Sequence, residues 1–437
     1  MANKDIDIIS LGCSKNLCDS EVLMGKLEAA GFVCHHDPQT PSAPVMVINT
    51  CGFIGDAKEE SINTILVQAQ RKQARKNRLE KLFVIGCLSQ RYMEDLKGEL
   101  PEVDSWFGKF DFSGVVDSLV ERPLCSKTKD HCVQRVLTTP QHYAYVKISE
   151  GCNRMCSYCA IPLITGRHVS RPMEEILDEV RWMREQGVKE INVIAQDLSS
   201  YGLDIGKKHL LPELIDKMAD IEGIEWIRLH YAYPTDFPDE LLDVMAKRAT
   251  VCKYLDIALQ HCTDHMLAQM RRHITQAEQD ALIARIRERV PGICLRTTLM
   301  VGHPGETEED FEALKEWTRK MQFDRMGAFA YSDEEGTYAN LHYKDDVPEE
   351  IKQRRLSELM DIQQEISGRL MAEKVGQTMR VIIDRKEDEW YIGRTEYDSP
   401  EVDCEVLIPA EKELQIGEFY TIIITKAEDF DLYGKLC

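Results

Sequence analysis

Short, nearly continuous apolar runs that alternate with helical stretches constrain this chain more than any other feature, because a segment apolar on both faces must be buried on both. Three such runs occupy the first part of the sequence: Ile6-Asp7-Ile8-Ile9, Val45-Met46-Val47-Ile48 and Leu82-Phe83-Val84-Ile85. They are short and rich in β-branched residues, as parallel strands in the middle of a sheet should be. Helix-like stretches follow each. Leu17, Leu23 and Leu27 precede Gly31, and Ile54, Ala57, Ile62, Ile65 and Leu66 recur at helical spacing before a polar segment. The pattern predicts a doubly wound α/β domain over residues 1–137.

A polar linker around Cys125 to Thr139 leads into a second alternation. Candidate strands are Tyr143 to Ile148, Ile191 to Ala195, Trp226 to His230, Tyr254 to Leu259, Cys294 to Val301 and Met326 to Tyr331. Helical segments such as Glu174 to Gln186 and Ala277 to Arg289 lie between them. Residues 138–372 are therefore expected to form a partial or complete β/α barrel with its chemistry at the carboxyl ends of the strands. Pro348 opens a long amphipathic helix whose stripe is Leu359, Ile362, Ile366 and Leu370, and which ends near Gly376. Beyond it, strand-like runs at Met379 to Asp384, Trp390 to Thr395, Cys404 to Ile408 and Tyr420 to Thr425 predict a small all-β barrel of the oligonucleotide-binding kind over residues 373–437.

Composition narrows the functional classes. With 43% hydrophobic and 30% charged residues, the chain is of the globular type. The start lacks the basic and apolar pattern of an export signal, and no apolar run reaches transmembrane length, so a cytoplasmic protein without membrane contact is expected. Fifteen cysteines, an odd number, in a reducing compartment suggest metal binding rather than a disulfide framework. A formal charge of −21 argues against coating nucleic acid and favours a basic partner, although acidity also serves plain solubility.

The strongest local signal is Cys152-Asn153-Arg154-Met155-Cys156-Ser157-Tyr158-Cys159, directly after the first barrel strand and Gly151. Three thiolates on one loop can hold three irons of a 4Fe-4S cluster and leave the fourth open. A zinc knuckle, or a cluster closed by a cysteine from elsewhere, is the alternative. The spacing, with Tyr158 before the last cysteine, resembles the radical S-adenosylmethionine (SAM) superfamily. That resemblance implies SAM chelated at the open iron and cleaved to a 5′-deoxyadenosyl radical. Tyr158, Gln196 and Gln260 are candidate parts of the SAM cradle, the two glutamines closing the second and fourth strands. Arg296, a cation in an apolar strand, calls for an anion: the SAM carboxylate or an internal acidic residue.

A second signal is topological. Cys13, Cys51 and Cys87 each follow one of the first three strands, in Leu11-Gly12-Cys13, Asn49-Thr50-Cys51-Gly52 and Ile85-Gly86-Cys87. Parallel strand ends share one edge, so these distant thiols should converge where doubly wound folds bind ligands; the alternative is three unrelated buried cysteines. This arrangement looks like the methylthiotransferase family of radical SAM enzymes, and the likeness covers essentially the whole chain. Arg296-Thr297-Thr298 with Val301-Gly302-His303-Pro304-Gly305-Glu306-Thr307 also resembles that family's fifth-strand signature, with His303 where an aromatic residue is commoner. Cys18, one turn beyond Cys13, could compete as a ligand. Cys34, Cys125, Cys132, Cys252, Cys262, Cys294, Cys404 and Cys437 have no ligand spacing and read as packing or surface thiols.

The resemblance implies two 4Fe-4S clusters, SAM, and replacement of an unactivated C–H bond by C–S, which no side-chain base can achieve. One branch of the family, the RimO type, modifies an aspartate β-carbon of small-subunit ribosomal protein S-twelve. The other, the MiaB type, modifies a transfer RNA adenosine. From Val375 to Cys437 there are 7 Lys or Arg against 15 Asp or Glu, a balance of −8 that is unlike an RNA-binding surface. The segment Gly393-Arg394-Thr395-Glu396-Tyr397-Asp398-Ser399-Pro400-Glu401-Val402-Asp403 resembles the RimO branch, and its acidic stretch is expected to meet the basic ribosomal protein. The C-terminal barrel resembles a TRAM domain for substrate recognition, and an electron donor such as flavodoxin or ferredoxin is implied. A non-enzymatic iron-sulfur scaffold or electron carrier is the rival from another class.

Overall fold

The computed structural model describes residues 4–74, 79–120 and 135–437. Cys125 and Cys132 lie outside the described residues. The chain divides into two compact units, one of residues 1–139 with 150–153 and 160–167, the other of 140–149, 154–159 and 168–437.

In the first unit, strands β1 (Asp5–Ser10), β2 (Val33–His36), β3 (Val45–Thr50), β4 (Lys81–Gly86) and β5 (Ser105–Trp106) form one parallel sheet in the order β2-β1-β3-β4-β5. The three expected apolar runs are its central members, and β3 is buried along its whole length. Helices α1 (Ser14–Ala29), α2 (Gly55–Gln73) and α3 (Cys87–Glu99) each begin within a few residues of the strand before them. Separate cores cover the two faces: Ile6, Ile8, Val45, Val47 and Phe83 on one, Met46, Ile48, Leu82 and Val84 on the other. That alternation is what period-2 side chains in a doubly covered sheet require. The edge strand β2 was not foreseen, because Val33-Cys34-His35-His36 is short and half-exposed.

The second unit contains a parallel six-stranded sheet in the order Arg325–Ala330, Cys294–Val301, Val251–Ile257, Trp226–Ala232, Glu190–Ile194 and Tyr143–Lys147. It is open, so the barrel is partial. One strand departs from expectation: it starts at Val251 rather than Tyr254 and stops at Ile257. Beyond it, Gln260 turns into the left-handed region with φ 73° yet stays tied to the neighbouring strand, its amide donating to Thr298 O and its carbonyl accepting from the Met300 amide. The long helix runs from Glu349 to Ala372 with Pro348 as its cap, and buries Leu359, Ile362 and Ile366.

The C-terminal strands Thr378–Glu387, Trp390–Thr395, Val406–Pro409, Phe419–Ala427 and Leu432–Leu436 close into a barrel. The fifth was not foreseen. It is short, carries Gly434, and is held by its pairing with Phe419–Ala427 and Val406–Pro409 rather than by a pattern of its own. No helix among the described residues is long and apolar enough to cross a membrane.

Candidate active site

The parallel order of β1, β3 and β4 puts the three segments that follow them side by side. Cys13 caps α1, Cys51 leaves β3 directly, and Cys87 opens α3. The approach is close enough to require glycine. A Cβ on Gly12, whose φ is 88°, would stand 2.7 Å from Cys51 Cβ, and one on Gly52 would stand 2.6 Å from the Leu88 amide nitrogen. Asn16 fastens the triad: its Nδ2 donates to Leu11 O (3.0 Å) and Thr50 O (3.1 Å), and its Oδ1 accepts from the Cys87 thiol at 3.4 Å.

The thiols differ in electrostatics. Cys13 is open to solvent at its rim; burial by surrounding atoms raises it, but Lys15, the Asn16 amide and Lys109 more than offset that and hold it below its usual value. Cys51 is raised by burial, with backbone amides in opposition and Cys13 adding repulsion. Cys87 is pushed up to about 12 by burial, with Cys13 and Cys51 contributing against Lys109. Cys13 thus raises both other thiols and Cys51 raises Cys87, the repulsion expected of neighbouring thiolates, and one that a bound cation would offset. Cys18 points elsewhere: it is 3% exposed and accepts from Arg135 Nη2, within a buried group where Arg135 also pairs with Glu21.

The Cys152–Cys159 loop is held from several sides. The Cys152 amide donates to Gly166 O at 3.2 Å, and the Cys159 amide to Cys156 O at 3.1 Å. Ala160, the next residue, packs with Ile164 against Cys87. Ser157 gives its amide to Met270 O and its hydroxyl faces His303 Nε2 at 3.0 Å. His303 Nδ1 lies 3.0 Å from Pro304 O, so the tautomer that satisfies both contacts is protonated at Nδ1 and accepts from Ser157. Its ring stands among those of Tyr158, Tyr331 and Tyr343. Burial lowers it to about 4, so it is neutral at physiological pH. His303 therefore fills an aromatic cage, which is how this chain accommodates its departure from the family pattern.

Two cations at this loop had no signal in the sequence. Arg272, 2% exposed, donates to Cys156 Sγ and to the Tyr158 hydroxyl at 3.3 Å each, and also to Ala258 O. Burial opposes its charge, but Tyr158, Cys156 and Tyr233 keep it protonated. Within Arg271-Arg272-His273 it looks like part of a solvated basic run. Arg154 stacks 4.4 Å above Tyr233 and donates to Asp197 Oδ2 at 2.7 Å. At the same strand ends, buried Gln260 Oε1, Asp197 Oδ1 and Ser149 Oγ have no hydrogen-bond partner. Gln196 follows the strand Glu190–Ile194, as expected. Unmet polar atoms beside a cysteine loop fit a polar ligand such as SAM. Among the described residues, no three His, Cys, Asp or Glu side chains close around a single metal ion.

Arg296 is engaged differently. Its Nη1 donates to Asp256 and its Nε to Asp403, both at 3.3 Å. Between its two open readings, the geometry is that of an internal ion pair. It belongs to a seam in which the C-terminal barrel closes the amino end of the half-barrel. Arg394 Nη2 reaches Glu190 at 2.7 Å and its Nε reaches Asp384 at 2.7 Å; Arg228 takes the other Glu190 oxygen at 2.9 Å. Arg325 meets Asp398 at 2.6 Å, Tyr254 donates to Asp403 at 2.7 Å, and Tyr143 to Glu401 at 3.0 Å. Trp226, Tyr254 and Cys294 pack with Ile382, Tyr397 and Phe419. This corrects the expectation that the acidic stretch after Tyr397 meets a partner protein. Asp398 and Ser399 are buried, and Asp398 and Asp403 are bound to arginines of the chain itself, so the stretch is a docking strap.

Three family models match the chain: an uncharacterized protein family, UPF0004, over residues 5–108, the radical SAM superfamily over 146–318, and the TRAM domain over 375–437. Among solved structures, the radical SAM methyltransferase TsrM from Kitasatospora setae is similar with a TM-score of 0.53 at 14% identity, covering 75% of each chain. The cobalamin-dependent SAM radical enzyme OxsB is similar with a TM-score of 0.51 at 11% identity, over 83% of this chain and 56% of its own; both likenesses are of fold. Half-barrel, cysteine loop and family match together define an iron-sulfur enzyme of the radical SAM class that uses S-adenosylmethionine. Curated relatives go further. Ribosomal protein uS12 methylthiotransferase RimO of Bacteroides fragilis is 61% identical over 437 residues, all of both chains, and the protein of that name in Bacteroides thetaiotaomicron is 60% identical over 100% of this chain and 99% of its own. The Porphyromonas gingivalis protein of the same name is 55% identical over the full length of both. The chain belongs to the RimO family of methylthiotransferases.

Proposed function

We propose that this enzyme adds a methylthio group to the β-carbon of one aspartate in ribosomal protein uS12, using two 4Fe-4S clusters and two molecules of SAM. The reading rests on the convergence of Cys13, Cys51 and Cys87 at the ends of three adjacent parallel strands, a second thiol triad in addition to Cys152, Cys156 and Cys159. The first triad, in a domain over residues 1–137, holds one cluster; the second, in a radical SAM domain over 138–372, holds the other. With SAM bound, such clusters supply a carbon radical strong enough for an unactivated C–H bond, together with the sulfur and methyl that replace the hydrogen.

The chain's own residues hold and shield these groups. Arg272 holds the Cys156 sulfur in position through its 3.3 Å hydrogen bond. Tyr158, Gln196, Gln260 and Asp197 border the place where SAM sits, and Gln260 Oε1 offers it a buried acceptor. Arg296 serves the seam instead. The TRAM domain, 373–437, meets the basic substrate through acids that remain exposed, Glu387 to Glu389 and Glu411 with Glu413. Electrons come from a flavodoxin or ferredoxin, and the enzyme works in the cytoplasm.

Intact mass of uS12 from cells with and without this gene tests the activity. The gene should add one methylthio group; an unchanged mass rejects the reading, and modified transfer RNA adenosine would place the chain in the MiaB branch. Mössbauer spectra of anaerobic protein should report about eight irons per chain. About four would reject the second cluster, and absence of 5′-deoxyadenosine on reduction with SAM would favour an electron carrier.

A further inference from the structure

The face of the half-barrel opposite its helices is polar at mid-depth. Strand alternation puts Tyr143, Tyr145 and Lys147 on that face from the first strand, Glu190 and Asn192 from the next, then Arg228 and His230, then Tyr254 and Asp256. Contacts confirm the shared face: Tyr143 and Tyr145 rings lie 6.1 Å apart, His230 and Tyr254 rings 5.6 Å, and His230 Nε2 lies 3.2 Å from Asn192 Oδ1. The layer beneath is saturated. Glu190 is matched to Arg228 and Arg394, and the C-terminal barrel covers it.

Asn192 is the exception. It is fully buried in the strand Glu190–Ile194, and its Nδ2 has no hydrogen-bond partner. Asparagine is depleted from strands, and a buried donor left unmet is destabilising. The seam beneath Asn192 uses up its own polar groups, whereas this amide one layer higher does not. A group entering from the carboxyl end of the strands would satisfy it, provided that group is an acceptor. Asp256, raised by burial despite Arg296, is already paired. Lys147 shares the face one layer nearer the mouth and adds positive charge to the approach.

We propose that Asn192 is a specificity-determining residue whose amide Nδ2 receives the side-chain carboxylate of the substrate aspartate at mid-depth in the half-barrel. The inference rests on the uS12 reading above. Holding the carboxylate fixes the adjacent β-carbon, so one of its hydrogens faces the mouth where the cysteine loop lies. Recognition of an acid by a neutral amide also explains how an aspartate is admitted beside Glu190 and Asp256, whose charges are bound to arginines.

The test uses full-length protein, a fluorescein-labelled uS12 peptide containing the target aspartate, and the same peptide with asparagine there. Anisotropy gives the binding preference, and product mass after anaerobic turnover gives the preference in kcat/KM. The parent should favour the aspartate peptide by about tenfold or more. Asn192→Ala, which removes the donor without adding charge, should bring the ratio near one. Asn192→Asp should invert it, because a carboxylate repels the aspartate and accepts from the asparagine amide. SAM cleavage without peptide should persist in both variants, since it does not depend on the substrate. Variants that keep the parent's ratio overturn the proposal, as does a parent that does not discriminate. A parent that neither binds nor modifies either peptide overturns the uS12 reading itself, a result distinct from equal treatment of the two peptides.

Discussion

The two ends of the half-barrel are built on opposite principles. At the amino end, carboxylates meet arginines: Glu190 with Arg228 and Arg394, Asp398 with Arg325, and Asp403 with Arg296, with Glu190 and Asp398 below the ordinary carboxyl range because these cations outweigh burial. At the carboxyl end, Gln260, Asp197 and Ser149 retain buried polar atoms without partners. Saturation fixes structure, and incompleteness reserves room for a ligand. The boundary between the two lies one strand layer above Glu190, at Asn192.

The contrast predicts different consequences of mutation. The largest effect belongs to the carboxyl end. Cys156→Ala should abolish 5′-deoxyadenosine formation and halve the iron content, while the urea unfolding midpoint of the metal-free chain moves little; a variant that still cleaves SAM at the parent's rate breaks the assignment. Next comes Arg394→Ala, which leaves Glu190 and Asp384 short of a buried cation. It should cost about 3–5 kcal/mol in denaturant unfolding, the range for breaking one side of a buried pair.

Asp398 sharpens the comparison through pH. Burial raises its carboxyl, but Arg325, Lys374 and Thr395 reverse this and put it below 3.8. A folded-state value below the unfolded one stabilises at neutral pH, and that contribution is lost as pH falls through the folded value. The stability gap between the parent and Asp398→Asn should therefore be constant from pH 7 to pH 5 and begin to narrow below about pH 4. A gap that does not narrow at all below about pH 4 would show that the carboxylate charge is not what matters. The smallest effect is at the rim of the same seam. Arg380 and Glu225 are 2.8 Å apart but roughly half exposed, so Glu225→Gln should change stability by less than about 1 kcal/mol.

Much of this was legible in the sequence where the signal is local. The apolar strands, the cysteine loop and the convergence of Cys13, Cys51 and Cys87 follow from short-range pattern and the geometry of parallel sheets. What was not legible depends on distant pairs. The acidic run after Tyr397 looks solvated because charge in a sequence does not reveal that Arg325 and Arg296 lie beneath it. Arg272 was hidden for the same reason, since nothing in Arg271-Arg272-His273 distinguishes the buried member. The strand Leu432–Leu436 escaped because its neighbours impose its conformation. Asn192 reads in sequence as one polar residue inside an apolar strand; its unmet hydrogen bond arises only from how the strands pack around it.

The strap has a consequence for engineering. A C-terminal barrel wired to the half-barrel through Arg228, Arg296 and Arg325 is not a cassette that can be exchanged at a linker. A chimaera carrying the C-terminal barrel of a relative with other residues at 394, 398 and 403 would leave Arg325 without Asp398, Arg296 with Asp256 alone, and Glu190 short of its second arginine. Retargeting this scaffold therefore means transplanting both halves of the junction together.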